Sequence, residues 1–94
     1  ADAAVLHQNV PNPFNPSTKI SFVVNKSDLV QLNVYNIRGE KVRTLVQDNL
    51  PAMEYELSWD GTDDAGKGVA SGSYFARLRI GKEVMQVRQM QLVK

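Results

Sequence analysis

The sequence predicts an all-β domain, a sandwich of seven antiparallel strands, and three observations lead to this prediction. Runs in which every second residue is apolar recur along the 94 residues, as expected of strands that bury one face. Clusters of Gly, Pro, Asn and Asp separate these runs, as turns do. The single tryptophan, Trp59, ends one run, and a connection with four glycines and three aspartates (residues 60–72) leads to the next. We expect the indole to lie sealed between two sheets.

Residues 1–17 are predicted to form a short edge strand and a proline-rich loop. The strand lies at most within residues 5–10, because the three prolines that follow lack a backbone N–H and cannot continue a central ladder. Phe14 stands alone among proline and polar neighbours. It is predicted to fill one end of the core and so to keep the loop ordered.

Residues 18–94 are predicted to supply the other six strands of this single domain, which spans residues 1–94. Clean alternation marks two strands, at residues 18–24 and 30–34. Turn-forming residues separate these two runs. They are therefore expected either to pair as a hairpin or to face each other across the sandwich.

A tight reversal is predicted next, because Asn36 and Gly39 tolerate the positive φ angles that such turns need. The strand after it, at residues 41–46, does not alternate perfectly. A β-bulge is expected there, turning Leu45 or Val46 inward.

Tyr74 opens the penultimate strand, and a two-residue hairpin connection is predicted after that strand at Gly81-Lys82. Seven strands at this spacing are typical of immunoglobulin-like or fibronectin type III-like sandwiches. In such a sandwich Tyr74 is predicted to be a tyrosine corner, whose hydroxyl bonds to backbone a few residues upstream. The predicted core consists of Phe14, Phe22, Leu32, Val34, Leu57, Trp59, Tyr74 and Leu78.

The final strand presents a conflict of register. Met85 and Val87 share one parity, whereas Met90 and Leu92 share the other, so a single regular strand cannot bury all four. A β-bulge at residues 88–89 is predicted to reconcile them.

Composition limits the classes of function. A net charge of +1 argues against nucleic-acid binding, which needs a basic face. No apolar run is long enough to span a membrane. The chain has no cysteine, which removes disulfides and thiol chemistry. The only histidine, His7, lies outside any nucleophile motif, and the carboxylates of Glu54 and Glu56 lack a deep cleft, so the domain is predicted not to be an enzyme.

Three aspartates in the connection after Trp59 form a candidate calcium site: Asp60, Asp63 and Asp64. Carboxylate oxygens are ligands that Ca²⁺ prefers. The sequence departs from the EF-hand loop, however, because Ala65 stands where that loop has glycine. Aspartates in turns usually bond to their own backbone, so a structural role is favoured and no metal or other cofactor is predicted.

Four blocks of sequence, spread from Leu6 to Lys94, carry a family resemblance: LHQNVPNPFNPSTKISF, VYNIRGEKVRTL, LSWDGTDDAGKGVASGSYFARL and VRQMQLVK. In this order they resemble the C-terminal Ig-like sorting domains of the type IX secretion (Por secretion) system. Those domains occur on many secreted proteins of the Bacteroidetes and related bacteria. They are similar to the Ig-like domain of the flagellar hook-capping protein, and the glycine-rich block is common to both.

The resemblance implies a non-catalytic domain that directs export across the periplasm and outer membrane and anchors its protein at the cell surface. A larger cargo domain is expected to precede it covalently. Its partners would be the type IX secretion machinery or another cell-surface protein, and the isolated domain is expected to be a monomer. Two alternatives remain: an assembly scaffold of the hook-cap type, and a carbohydrate-binding or adhesive module that uses Tyr35 and Phe75 as its platform.

Two features of the C-terminal region are predicted to contact such a partner. The final strand is expected to offer an open sheet edge, which a partner can extend by strand addition. Five cations are predicted to form a positive face that attracts an acidic partner: Arg77, Arg79, Lys82, Arg88 and Lys94.

Overall fold

A computed structural model describes residues 4–82 and 84–94 and places seven strands in two antiparallel sheets. The strands are β1 (Val5–Leu6), β2 (Thr18–Val24), β3 (Asp28–Asn36), β4 (Lys41–Leu50), β5 (Met53–Trp59), β6 (Gly72–Ile80) and β7 (Val84–Leu92). One sheet has the order β1-β2-β5 and the other β4-β3-β6-β7. The predicted seven-stranded sandwich is confirmed. None of the described residues belongs to a helix that could cross a membrane.

The core lies where the inward-facing residues of the two sheets meet. Val30, Leu32 and Val34 of β3 have no exposed surface, and every second residue of β2 and β6 is likewise buried. Because β2 and β3 belong to different sheets, they face each other across the sandwich and do not form a hairpin. Seven of the eight residues predicted for the core are buried, and Leu57 is partly buried against it.

Strand β4 contains the irregularity that its sequence suggests. The pairing of β3 with β4 shifts twice, so that Leu45 and Val42 each stand as an extra residue in β4. Both side chains are partly buried against the core. The reversal before β4 forms at Gly39, whose φ is +79°, and its backbone is held by the side-chain oxygen of Asn36, which accepts from two amides of the turn.

The predicted bulge in β7 is wrong. Strands β6 and β7 pair without a shift from Gly72↔Leu92 to Ile80↔Val84. Met90 and Leu92 are therefore fully buried, while Met85 and Val87 point outward and are 53% and 44% exposed. A bulge would be needed only if all four side chains reached the core, but the outer face of the sheet accommodates Met85 and Val87. Strand β6 ends at Ile80 and the predicted connection at Gly81-Lys82 follows it directly, while Glu83 lies outside the described residues.

An N-terminal segment closes the sandwich beside β7. Phe14 is buried, its ring lies 5.6 Å from that of Trp59, and its backbone N–H donates to the Gln91 carbonyl at 2.9 Å. The Phe14 carbonyl accepts from the Val93 amide at 2.9 Å. Nearer the start of β7, the side chain of Gln86 accepts from the Leu6 amide of β1 and donates to the Ala4 carbonyl just before it. The predicted role of Phe14 as the anchor of the proline-rich loop is confirmed.

Tyr74 is a tyrosine corner, as predicted. Its hydroxyl donates to the Ala70 carbonyl at 2.6 Å, and its ring packs edge-on against Trp59 at 5.4 Å. Burial raises the pKa of Tyr74 above its ordinary value of 10.0, so the hydroxyl remains a donor at physiological pH.

Replacing Tyr74 with phenylalanine is expected to lower the free energy of unfolding by about 1–2 kcal/mol, because a partly buried carbonyl loses its donor. Denaturant unfolding followed by tryptophan fluorescence measures this loss. Tyr55→Phe is the matched control, since the Tyr55 hydroxyl donates to the Pro51 carbonyl in an exposed position where water can replace it. Equal losses for the two variants would contradict the assignment of a tyrosine corner.

Candidate interaction surface

The outer side of the four-stranded sheet carries the most distinctive set of exposed side chains. Alternation in β3 and β6 sends one parity to the core and the other outward, and the pairing places Tyr35 opposite Phe75. Arg77 and Arg79 follow on the same side of β6, and Val87 of β7 lies opposite Arg77. We call this surface, formed by Tyr35, Phe75, Arg77, Arg79 and Val87 with their neighbours, the arginine face.

The centre of the arginine face is an ordered stack of Arg77 on Tyr35. The guanidinium carbon of Arg77 lies 4.3 Å from the centre of the Tyr35 ring, a cation–π distance. Its Nη2 donates to the Tyr35 hydroxyl at 2.6 Å, and the Asn33 side-chain amide donates to the same hydroxyl at 3.3 Å. The guanidinium is therefore fixed in position by an aromatic ring and a hydroxyl.

Among the residues that the structure describes, the rows of the arginine face carry cations and no carboxylates. Its rows across β4, β3, β6 and β7 are Gln47–Gln31–Arg79–Met85, Thr44–Asn33–Arg77–Val87 and Lys41–Tyr35–Phe75–Gln89. Of the two ion pairs between described residues, Lys19 with Glu56 lies on the other sheet and Arg38 with Glu40 lies in the turn between β3 and β4. The positive charge of Arg77 and Arg79 is thus not neutralised by any described carboxylate.

Apolar side chains border this charge. A shallow groove of about 260 Å³ runs beside the stack and is lined in part by Ile37, Phe75 and Val87. Ile37, in the turn after β3, is 75% exposed. The surface thus combines fixed cations with aliphatic contact area.

The other cations predicted for a positive face lie apart from Arg77 and Arg79. Arg88 is on the opposite parity of β7, opposite Ala76, and donates to the Val87 carbonyl at 3.2 Å. Lys82 is in the connection after β6, and Lys94 follows β7 at the other end, where its backbone amide donates to Ser71. The five cations do not form one face, because β7 keeps a regular register and the strand ends are far apart.

The outer edge of β7 is not open along its whole length, which corrects the expectation of a free edge. The Gln91 amide donates to the Asn12 side chain at 2.9 Å, and the Gln91 carbonyl accepts from Phe14. The Gln89 carbonyl accepts from the Gln8 side chain at 2.7 Å. The N-terminal segment therefore already occupies the last part of this edge, where strand addition was expected.

Each of the three aspartates of the candidate calcium site accepts a hydrogen bond from a backbone amide. Asp60 accepts from the Thr62 amide and hydroxyl, and Asp63 accepts from the amides of Ala65 and Lys67. The Thr62 hydroxyl lowers the pKa of Asp60 below its ordinary value of 3.8. This bond therefore contributes stability above pH 3.8 that is lost as the pH falls through the lowered pKa.

Asp64 caps the edge of the four-stranded sheet. Its amide donates to the Val42 carbonyl at 3.0 Å and its carboxylate accepts from the Thr44 amide at 2.9 Å, so it occupies the position of a strand residue beside β4. Edge strands are commonly protected in this way from pairing with other chains. No group of three or more metal-binding side chains occurs within residues 4–82 and 84–94.

We expect the melting temperature to be the same with calcium and with a chelator, because these carboxylates are engaged by backbone N–H groups. A site filled at a hundred times its dissociation constant would raise the melting temperature of a domain this size by about 10 °C or more. Scanning calorimetry distinguishes the two outcomes, and a rise with calcium that disappears in Asp63→Asn would contradict the structural role.

The residues considered for catalysis lie on the other sheet. His7 lines a shallow depression with Glu54 and Glu56, on the outer side of β2 and β5. The Glu56 carboxylate lies 3.8 Å from the Lys19 ammonium, and all of these groups are exposed.

A family model described as the FlgD Ig-like domain matches residues 11–79, which is more than half of the chain. The chain belongs to the FlgD Ig-like domain family. No curated protein matches its sequence. The family assignment agrees with the Ig-like sandwich described above, and it bears out the part of the resemblance that concerns the hook-capping protein.

Solved structures share the fold of this FlgD Ig-like domain. Dimeric latent PorU from Porphyromonas gingivalis is similar with a TM-score of 0.74 and 21% identity, over 97% of this chain and 9% of PorU. FlgD from P. aeruginosa has a TM-score of 0.64 and 25% identity, over 80% of this chain and 61% of that protein. FlgD from Xanthomonas campestris has a TM-score of 0.63 and 22% identity, over 94% and 64%. The chain thus spans less than two thirds of each of these proteins.

Proposed function

We propose that this domain is a non-catalytic sorting and attachment module, which directs the export and cell-surface anchoring of a larger protein. The observation that carries the proposal is the similar fold of PorU, which covers 97% of this chain and only 9% of the PorU chain. In PorU, a sandwich of this kind is therefore a small part of a much longer protein, as a sorting module would be. The four sequence blocks that resemble type IX sorting domains support the same function.

The module has the physical character of a binding domain. Its core is filled by side chains from both sheets, and the described depressions of its surface are shallow. A partner must therefore be recognised on an outer surface, and the arginine face is the strongest candidate.

A second candidate function is assembly of a hook-cap type scaffold. The family match over residues 11–79 supports it directly, and the Xanthomonas campestris relative is described as a hook-capping protein essential for flagellar assembly. In this case the domain would contact other subunits of an assembly and would carry no export signal.

Carbohydrate binding has less support. The platform predicted for it consists of Tyr35 and Phe75, but Arg77 covers the Tyr35 ring at 4.3 Å. A sugar ring would have to displace this guanidinium in order to stack on Tyr35. A sugar array that shows no binding is the expected result.

The proposal is tested by fusing residues 1–94 behind an exported fluorescent protein in a bacterium that has a type IX secretion system. Protease accessibility and microscopy of intact cells measure the fraction of the reporter at the surface. The matched controls are the reporter without the domain and the same fusion in a strain whose secretion system is disrupted. We expect surface delivery only when both the domain and the machinery are present.

Retention of the reporter in the periplasm would contradict the sorting function. The scaffold function makes a separate prediction: the domain should then replace the Ig-like domain of FlgD and restore hook assembly in a flagellated host. Restoration without surface delivery would favour the scaffold.

A further inference from the structure

We propose that the arginine face is the docking surface for an acidic protein segment, an extended strand with carboxylates at every second position. This inference rests on the proposed sorting function and names the surface and the partner chemistry that it uses. Four features of the surface carry it: its charge, its free donors, its spacing and its apolar border.

The charge of the surface selects an anionic partner. The three rows that cross the sheet contain Lys41, Arg77 and Arg79 and no Asp or Glu, although the chain holds ten acidic residues. A surface that intersperses charges of both signs avoids a large field of one sign. A face with cations alone attracts acidic groups and repels basic ones.

The Arg77 guanidinium at the centre has donors left for a ligand. Its Nη2 donates to the Tyr35 hydroxyl at 2.6 Å. A guanidinium has five N–H donors, and those of Arg77 that do not reach Tyr35 remain for a carboxylate. The stack on Tyr35 holds them in place, so less side-chain entropy is lost when a ligand binds.

The spacing of the cations fits an extended segment. Arg77 and Arg79 are two residues apart on one strand and point to the same side. Side chains two apart in a strand are separated by about 7 Å. The two guanidinium groups lean apart along β6, because Arg77 reaches Tyr35 in the row of Phe75 and Arg79 reaches the Gly81 carbonyl. Carboxylates at alternate positions of an extended ligand, two or four residues apart, can therefore meet both charges.

The apolar border favours a protein over an acidic polysaccharide. Ile37 and Val87 line the groove beside the stack, and Met85 lies beside Arg79. Aliphatic side chains of this kind bury area against apolar side chains of a partner. A polysaccharide offers none, and Tyr35, one of the two aromatic residues on which it would stack, is covered by Arg77.

The experiment titrates the 94-residue domain with short peptides of alternating glutamate and valine, or lysine and valine, and with an alginate oligosaccharide as an acidic sugar. Amide shifts measured by NMR report affinity and location together. We expect the glutamate peptide to bind, to move amides of the outward residues of β3, β6 and β7, and to bind less tightly as salt is raised. The lysine peptide and the alginate should not bind.

Charge variants identify the surface. The double substitution Arg77→Gln with Arg79→Gln is expected to lower the affinity for the glutamate peptide about tenfold, which is the combined effect of two exposed ion pairs. Arg79→Gln alone should give part of that loss without disturbing the Tyr35 stack, since the Arg79 side chain donates to the Gly81 carbonyl and it is Arg77 that bonds Tyr35. Lys19→Gln with Lys26→Gln removes the same charge elsewhere and should leave the affinity unchanged.

Several results would overturn the proposal: no binding of the glutamate peptide, equal binding to the R77Q/R79Q variant, or shifts confined to the β1-β2-β5 sheet. If alginate bound more tightly than the glutamate peptide, the arginine face would be a sugar site. If the domain associated with itself and R77Q/R79Q abolished this association, the face would bind a second copy of the chain. Because the titration needs no secretion machinery, its failure beside normal surface delivery would remove only this docking surface. Peptide binding without surface delivery would instead remove only the sorting function.

Discussion

Replacing Trp59 with alanine is expected to lower the free energy of unfolding by about 3–5 kcal/mol. The indole is 1% exposed, lies 5.6 Å from the Phe14 ring and 5.4 Å from the Tyr74 ring, and donates from Nε1 to the Thr62 carbonyl at 2.9 Å. Alanine would leave a cavity at the point where both sheets and the N-terminal loop meet. The whole free energy of unfolding of a native domain is only about 5–15 kcal/mol, so much of the alanine variant would unfold on mild warming.

Circular dichroism in denaturant is the appropriate measurement, because the variant no longer contains tryptophan. Trp59→Phe serves as the matched variant: it retains an aromatic ring and loses the N–H donor. We expect it to be less damaging than alanine. An alanine variant within about 1 kcal/mol of the wild type would contradict the placement of Trp59 in the core.

Replacing Phe14 with alanine is also expected to lower the free energy of unfolding by about 3–5 kcal/mol. The same change should release the N-terminal segment from β7. The ring is the buried anchor of a loop whose backbone bonds to Gln91 and Val93. Without the ring, these bonds hold the segment alone. Hydrogen exchange at the Val93 amide should therefore accelerate more than exchange in the centre of β3.

Val10→Ala is the matched control in the same segment, because Val10 is 68% exposed and its backbone bonds to Lys19 are kept. We expect it to change stability by less than about 0.5 kcal/mol. If the Phe14 and Val10 variants had equal stability, the proline-rich loop would not depend on its aromatic anchor.

Local patterns predicted much of the fold because they depend on neighbouring residues alone. The inward parity of β2, β3 and β6 follows from strict alternation, since successive side chains of a strand point to opposite faces. Tyr74 and Phe14 were also predictable, as one opens a strand after a turn and the other is the single apolar residue in its loop. These predictions did not require knowledge of which strands pair.

The features that were not predicted depend on contacts between distant parts of the chain. The regular register of β7 was missed because Met85 and Val87 were assigned to the core, although the outer face beside Arg77 and Arg79 accepts them. The capping of β4 by Asp64 joins residues twenty positions apart and leaves no local signal.

The arginine face could be predicted only in part. Its two arginines and both aromatic residues were named from the sequence, but their grouping requires the pairing of β3, β6 and β7. Asn33, Lys41 and Val87 were missed as members of the face. The alternation of β3 was the available signal for Asn33, because it shares the outward parity of Tyr35.

The surface fraction of a fluorescent cargo carrying residues 1–94 tests the account most directly. It should be measured for the wild-type domain, for R77Q/R79Q and for K19Q/K26Q, at matched expression. We predict that the wild type and K19Q/K26Q reach the surface equally and that R77Q/R79Q is delivered several-fold less. A wild-type fusion that stays inside the cell would contradict the sorting function, and equal delivery of all three would contradict the role of the arginine face in it.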